Sequence, residues 1–201
     1  MIEPIKRSGF PLPPRGWPLV ALLAVFILAG LIGHDPWKND DAVTIGVVAD
    51  MLHRGHWLAP YLADQPYPDA PLYYWTAAFS GALFSLLLPL HDAIRLASGL
   101  WVALTLFLLY RAGREWHGDE PAPHEFAIAS VLAMAGCLGF LVHAHEAQPM
   151  LVALAGHAAA YWALALMPRK PQRAALILGL ALGLGFLGNG LAPMLALLPV
   201  A

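Results

Sequence analysis

The sequence predicts an all-α integral membrane protein, a multi-span helical bundle with a large polar loop after its first span. Three observations carry that expectation. Hydrophobic residues make up 59% of the 201 residues, charged residues only 12%, and the mean hydropathy is +0.63, outside the range of soluble domains. Runs with few or no charges recur at lengths that suit a bilayer. The charges between them also sort by sign, with aspartates gathered in one segment and most basic residues in others.

What composition excludes is also informative. A net charge of -2 gives no electrostatic case for a nucleic-acid partner. The single cysteine, Cys137, lies in an apolar run and rules out an intramolecular disulfide.

The first apolar run, 17–33, follows Lys6, Arg7 and Arg15. As a helix it covers roughly 25 Å, the short end of a membrane crossing. A signal peptide has the same outline, but no small-x-small cleavage site cleanly follows Gly33, which favours a retained span.

Residues 34–92 then form the outer loop, with Asp35, Asp40, Asp41, Asp50, Asp64 and Asp69 among histidines and aromatics. Asn39-Asp40-Asp41 followed by 42–54 reads as a juxtamembrane amphipathic helix, with Ile45, Val48, Met51 and Leu52 on one face. Asn39 or Asp40 can cap it and Gly55 ends it. Residues 56–70 carry Pro60, Pro66 and Pro68 and read as loop. Pro71 opens an apolar run to Leu88, expected to lie along or dip into the outer leaflet with Tyr73, Tyr74 and Trp75 at the interface. Were it a full span, every later helix would invert and basic residues would land outside.

Further spans are expected at 93–110, 126–142, 149–167 and 174–188, with a partial one at 191–201. That last run is too short to cross, so residues 1–201 read as one transmembrane domain forming the N-terminal part of a longer chain. Glycines 179, 183, 185 and 188 suggest close helix packing. With the N-terminus inside, Lys6, Arg7, Arg15, Arg111, Arg114, Arg169, Lys170 and Arg173 are cytoplasmic, leaving only Lys38, Arg54 and Arg95 outside. The positive-inside rule favours that orientation, which puts the aspartate-rich loop and Glu146 on the same, extracytoplasmic side.

The loop carries a resemblance. The acidic pair Asp40-Asp41, Met51-Leu52, Gly55-His56-Trp57, Pro60, Pro66-Tyr67 and Pro71-Leu72-Tyr73-Tyr74-Trp75 resemble the first extracytoplasmic loop of polyprenyl-phosphate-sugar glycosyltransferases. These are the GT-C membrane enzymes that include the protein mannosyltransferases and the lipid A aminoarabinose transferases. Ala93-Ile94-Arg95-Leu96, Tyr110 to Arg114, Glu146-Ala147-Gln148-Pro149 and Gly185-Phe186-Leu187 extend the resemblance in the same order.

The resemblance implies sugar transfer from a polyprenyl-phosphate donor to a lipid, glycan or protein acceptor, in a bacterial inner membrane and among its lipids. Such chemistry needs a carboxylate at the acceptor and cations at the leaving phosphate. Asp40 stands at the family's leading acid and is expected to act as general base or acceptor-orienting group. Asp41 supports it, and Glu146 is the second acid of interest. The bland alternatives are a helix cap for the aspartates and a solvated loop residue for Glu146. Arg54, Tyr67, Asp69, Tyr73, Tyr74 and Arg95 are the expected substrate-binding set, the tyrosines either lining an isoprenoid groove or serving as interfacial anchors. Where many family members have lysine, this chain has Asp69-Ala70 and Asn189, so either phosphate binding comes from Arg54, Arg95 or residues beyond 201, or the donor differs, or the chain is a degenerate member without transfer activity.

No cofactor is required by this reading. His53, His56, His143 and His145 nonetheless form a candidate ligand set for a divalent metal, with scattered surface histidines as the simpler account. A non-catalytic transporter subunit or scaffold of the same architecture is the competing function. It would call for ionisable groups near mid-membrane, which these spans nearly lack.

Overall fold

The computed structural model describes residues 16–37 and 39–197; Lys6, Arg7, Arg15, Lys38 and the end of the 191–201 run lie outside that range. Among the described residues the chain forms α1 (Trp17–Leu28), α2 (Asn39–Arg54), a hairpin of β1 (Tyr61–Leu62) and β2 (Gln65–Pro66), α3 (Leu72–Phe84), α4 (Leu90–Trp116), α5 (Pro123–Ala135), α6 (Leu138–His143), α7 (Met150–Leu166), α8 (Pro171–Asn189) and α9 (Leu191–Leu197). It is a helical membrane bundle whose long, apolar helices are α4 and α8, with α1 and α7 as shorter apolar helices.

At the centre α7 packs against α8 on one side and α4 on the other. Small residues permit this. A Cβ on Gly188 would come 2.6 Å from Val152 Cγ1, and one on Gly156 would come 3.0 Å from the Ala181 carbonyl oxygen. Of the four glycines expected at a close contact, Gly185 and Gly188 make it, Gly185 against Gly156 of α7, while Gly179 and Gly183 face open space.

Helix boundaries depart from the hydropathy runs for local reasons. The span expected at 93–110 is longer at both ends, because the first turn of α4 keeps Asp92 and Arg95 paired inside the protein. At about 40 Å, α4 exceeds a hydrocarbon core. The 126–142 run is one apolar stretch but two helices: α5 stops at Ala135, Cys137 is extended, and α6 restarts at Leu138. The 17–33 run is helical only to Leu28, and Gly30 and Gly33 then take left-handed conformations (φ 93° and 91°) that turn the chain toward α2. Leu31, in this turn, is buried against Gly99 of α4.

Within 71–88, the reading of the tyrosines as interfacial anchors needs correction. Tyr73 and Tyr74 are not interfacial anchors but fully buried, and α3 packs along α4 as a member of the bundle. Likewise α2 already includes Asn39, so Asn39, Asp40 and Asp41 occupy its first turn rather than cap it. Acidic groups there still suit the positive end of the helix dipole. In the hairpin that follows, Ala63 and Asp64 both take positive φ (50° and 64°), the requirement of a tight turn matched to strand twist.

The bundle has two chemically distinct ends. The starts of α2 and α4 and the α6–α7 loop meet at one, through Asp41, Arg95 and Ala147. At the other, Arg169 donates to the Glu115 carbonyl at 2.8 Å and pairs with Asp119 at 2.5 Å, joining the ends of α4 and α7.

Candidate active site

The acidic end is organised around Arg95, one turn into α4 and wholly shielded from solvent. A guanidinium there is tolerable only if its donors are satisfied. Nη2 donates to Asp41 Oδ2 at 2.6 Å and Nε to Asp41 Oδ1 at 3.2 Å, a two-pronged match to one carboxylate. Nη1 donates to the His34 carbonyl at 2.7 Å and to Asp92 Oδ1 at 3.2 Å. The remaining carboxylate oxygens find amides: Asp92 Oδ2 accepts the Gly33 N–H at 3.0 Å, and Asp41 Oδ1 also accepts the Ala147 N–H at 2.7 Å.

This node locks four segments together. It fixes the exit of α1, the start of α2, the start of α4 and the loop carrying Glu146. Such a pair adds little over an apolar replacement of the whole set, but removing one partner strands a buried charge, at a cost of about 3–5 kcal/mol.

Adjacent residues on a helix point about 100° apart, so Asp41 and Asp40 cannot share a role. Asp41 is fully buried in the Arg95 node, whereas Asp40 is exposed at the head of α2. Beside Asp40 lies the end of the proline-rich loop. The Tyr67 phenol is held above its usual 10.0, first by burial and then by the negative charges of Asp69 and Asp40. Asp69 Oδ2 in turn accepts the Tyr74 hydroxyl at 2.7 Å. Asp40, Tyr67 and Asp69 thus form one acidic rim, with the buried Tyr74 hydroxyl holding Asp69 from within.

Beneath that rim runs a chain of hydroxyls. Ser98 Oγ donates to the Glu146 carbonyl at 2.5 Å and lies 2.6 Å from the Tyr73 hydroxyl, so the tyrosine must donate to the serine. Glu146 itself is only 4% exposed, which removes the solvated-loop account of it. Its Oε2 lies 3.2 Å from His143 Nδ1. The three acids singled out from sequence are gathered at this one end, Asp41 bonding the amide directly after Glu146 across 106 positions.

Other expected site residues are placed elsewhere or already engaged. Arg95 is committed to Asp41, Asp92 and His34, so it is a structural cation rather than a phosphate ligand. Arg54 lies at the far end of α2, about 21 Å along the helix from Asp40, paired with Asp50 and with Asp64 across the hairpin. The four candidate metal histidines are separately occupied. His53 Nδ1 bonds the Ala49 carbonyl at 2.7 Å, and His56 Nδ1 lies 2.7 Å from Asp50 with its ring stacked on Tyr61. His143 faces Glu146, and His145 Nε2 reaches the Phe26 carbonyl at 2.6 Å. Among the described residues no group of three or more His, Cys, Asp or Glu side chains could hold a metal ion.

Asp92 and Ser98 belong to this end and carry no motif. The spacing Asp92-x-x-Arg95 at a helix start is the signal that marks the first as an internal partner; Ser98 has none.

Three carboxylates gathered at one end of an apolar helical bundle, two buried and one exposed, are the feature that sets this end apart. The chain belongs to the dolichyl-phosphate-mannose-protein mannosyltransferase family, whose model matches residues 64–200. Among curated proteins it is similar to the undecaprenyl phosphate-alpha-4-amino-4-deoxy-L-arabinose arabinosyl transferase of Photorhabdus laumondii, 30% identical over 193 residues that cover 90% of this chain and 34% of that protein. It is also similar to arabinosyl transferase 1 of the same name from Sodalis glossinidius, 31% identical over 199 residues (90% and 34%), and to transferase 2 from Pseudomonas fluorescens, 28% identical over 201 residues (92% and 35%). The chain spans about a third of the length of these relatives. No solved structure matches it.

Proposed function

We propose that this chain carries the acid-bearing front of a glycosyltransferase that moves a sugar from a polyprenyl-phosphate donor to a lipid, glycan or protein acceptor, at the extracytoplasmic face of a bacterial inner membrane. The observation that carries the reading is the division of labour between Asp40 and Asp41. One carboxylate is locked to a buried arginine, and the neighbouring one is left exposed on a helix start that cannot shift. A rigidly held, accessible carboxylate is what acceptor activation requires.

In the step we assign to it, an acceptor oxygen attacks the anomeric carbon and the bond from that carbon to the lipid-phosphate oxygen breaks. The electron pair leaves with the phosphate, and Asp40 takes the acceptor proton. Tyr67, a neutral hydroxyl at physiological pH, can donate a hydrogen bond to a sugar or acceptor oxygen. The relatives are named for a 4-amino-4-deoxy-arabinose donor. An amino sugar carries a positive charge at neutral pH, and the carboxylates of Asp40 and Asp69 suit it.

Orientation follows from the same division of charge. Arg111, Arg114, Arg169, Lys170 and Arg173 belong to the ends of α4 and α7 and the start of α8, opposite the acidic end, and are read as cytoplasmic.

The test is transfer from a panel of labelled undecaprenyl- and dolichyl-phosphate sugars by the longest native form of the protein in vesicles. Transfer from the aminoarabinose donor in preference to neutral hexoses is expected. Absence of transfer from every donor would overturn the reading.

A further inference from the structure

A second site lies at the basic end. Arg111, Glu115, Trp162, Leu166, Lys170, Gln172, Arg173, Leu176 and Ile177 line a cavity of about 460 Å³ where the ends of α4 and α7 meet the start of α8. Its lining is divided. Arg111, Lys170 and Arg173 supply three cations against the single carboxylate of Glu115, while Leu166, Leu176 and Ile177 supply an apolar floor. None of those three cations forms an ion pair among the described residues, whereas neighbouring Arg169 is spent on Asp119 and the Glu115 carbonyl.

Further groups point the same way. The Arg111 guanidinium sits 4.6 Å from the Trp162 ring, which holds it by a cation–π contact while its N–H edge stays available. The start of α8 reaches this cavity through Gln172 and Arg173, and no side chain caps the helix there. Trp162 lines the cavity through its ring, while its Nε1 is buried away from solvent with no hydrogen-bond partner among the described residues.

We propose that this cavity binds the phosphate headgroup of an anionic phospholipid, with an acyl chain along Leu176 and Ile177. Phosphate chemistry accounts for the cations, and the apolar floor argues for a lipid rather than a free ion. The site lies at the opposite end of the bundle from Asp40 and does not depend on the proposed sugar transfer. Binding here would brace α4, α7 and α8 against one another.

The experiment is native mass spectrometry of the full-length protein titrated with phosphatidylglycerol or phosphatidylcholine, with inorganic phosphate as competitor. Phosphatidylglycerol should be retained over phosphatidylcholine, and Arg111→Gln combined with Arg173→Gln should weaken retention about fivefold per charge removed. Arg114→Gln, which removes one charge from the same helix as Arg111 but outside the cavity, should leave it unaltered. Equal retention of both lipids by the unaltered protein overturns the proposal even if the double variant fails to fold. So does an equal loss in Arg114→Gln. Displacement by millimolar inorganic phosphate would also overturn it, showing a free-ion site.

Discussion

Asp41 and Arg95, 54 positions apart in sequence, close a 2.6 Å ion pair from which solvent is wholly excluded. The pair defines the acidic end of the bundle, because Asp41 also holds the Ala147 amide while Arg95 also holds Asp92 and the His34 carbonyl.

Removing the guanidinium leaves two carboxylates buried without their counter-charge. Arg95→Met should therefore lower stability by about 3–5 kcal/mol, measured as a fall in thermal unfolding temperature in detergent. Arg95→Lys should recover only part of it, since an ammonium cannot engage both oxygens of Asp41 in one plane. A variant as stable as the parent would contradict the node's role.

Close packing of α7 on α8 gives a second expectation. Gly188→Ala places its methyl against Val152 and should cost about 1–3 kcal/mol through overpacking. Gly179→Ala enters open space and should cost nothing, and the same unfolding assay compares the two.

The rim titrates in a defined direction. Tyr67 is an acid whose folded pKa lies above its unfolded value of 10.0. Below that value it is neutral in both states and contributes no pH dependence. Above it the unfolded chain loses the proton first, so stability falls as pH rises through the interval up to the folded pKa. Phenolate absorbance, compared between the parent and Tyr67→Phe, should show this tyrosine titrating above 10, and Asp69→Asn should move it back down.

Much of this was legible in the sequence where one physical quantity decides the outcome. Hydropathy marked the helices that became α4, α7 and α8, and charge sorted the two ends. The sequence singles out Asp40, Asp41 and Glu146 by residue type and family-like spacing, and the fold brings them to one end. What was not legible depends on pairing. Arg95 looks like a cation available to a phosphate until Asp41 and Asp92 are seen to consume it. Tyr73 and Tyr74 look like interface residues, because burial of a tyrosine depends on finding partners such as Ser98 and Asp69. The break at Cys137 has no hydropathy signature, since both flanks are apolar. Which glycines lie at the contact is set by helix rotation, and spacing alone selected Gly179 and Gly183 wrongly.

The most direct measurement is sugar transfer by Asp40→Asn beside Asp41→Asn, each with its unfolding temperature, in the longest native form of the protein. Asp40→Asn should keep the parent's stability and lose about 10²–10⁴-fold in kcat. Asp41→Asn should lose stability first, with transfer falling in proportion to the folded fraction. Full transfer by a folded Asp40→Asn protein would contradict the assignment of Asp40 as the acceptor's base.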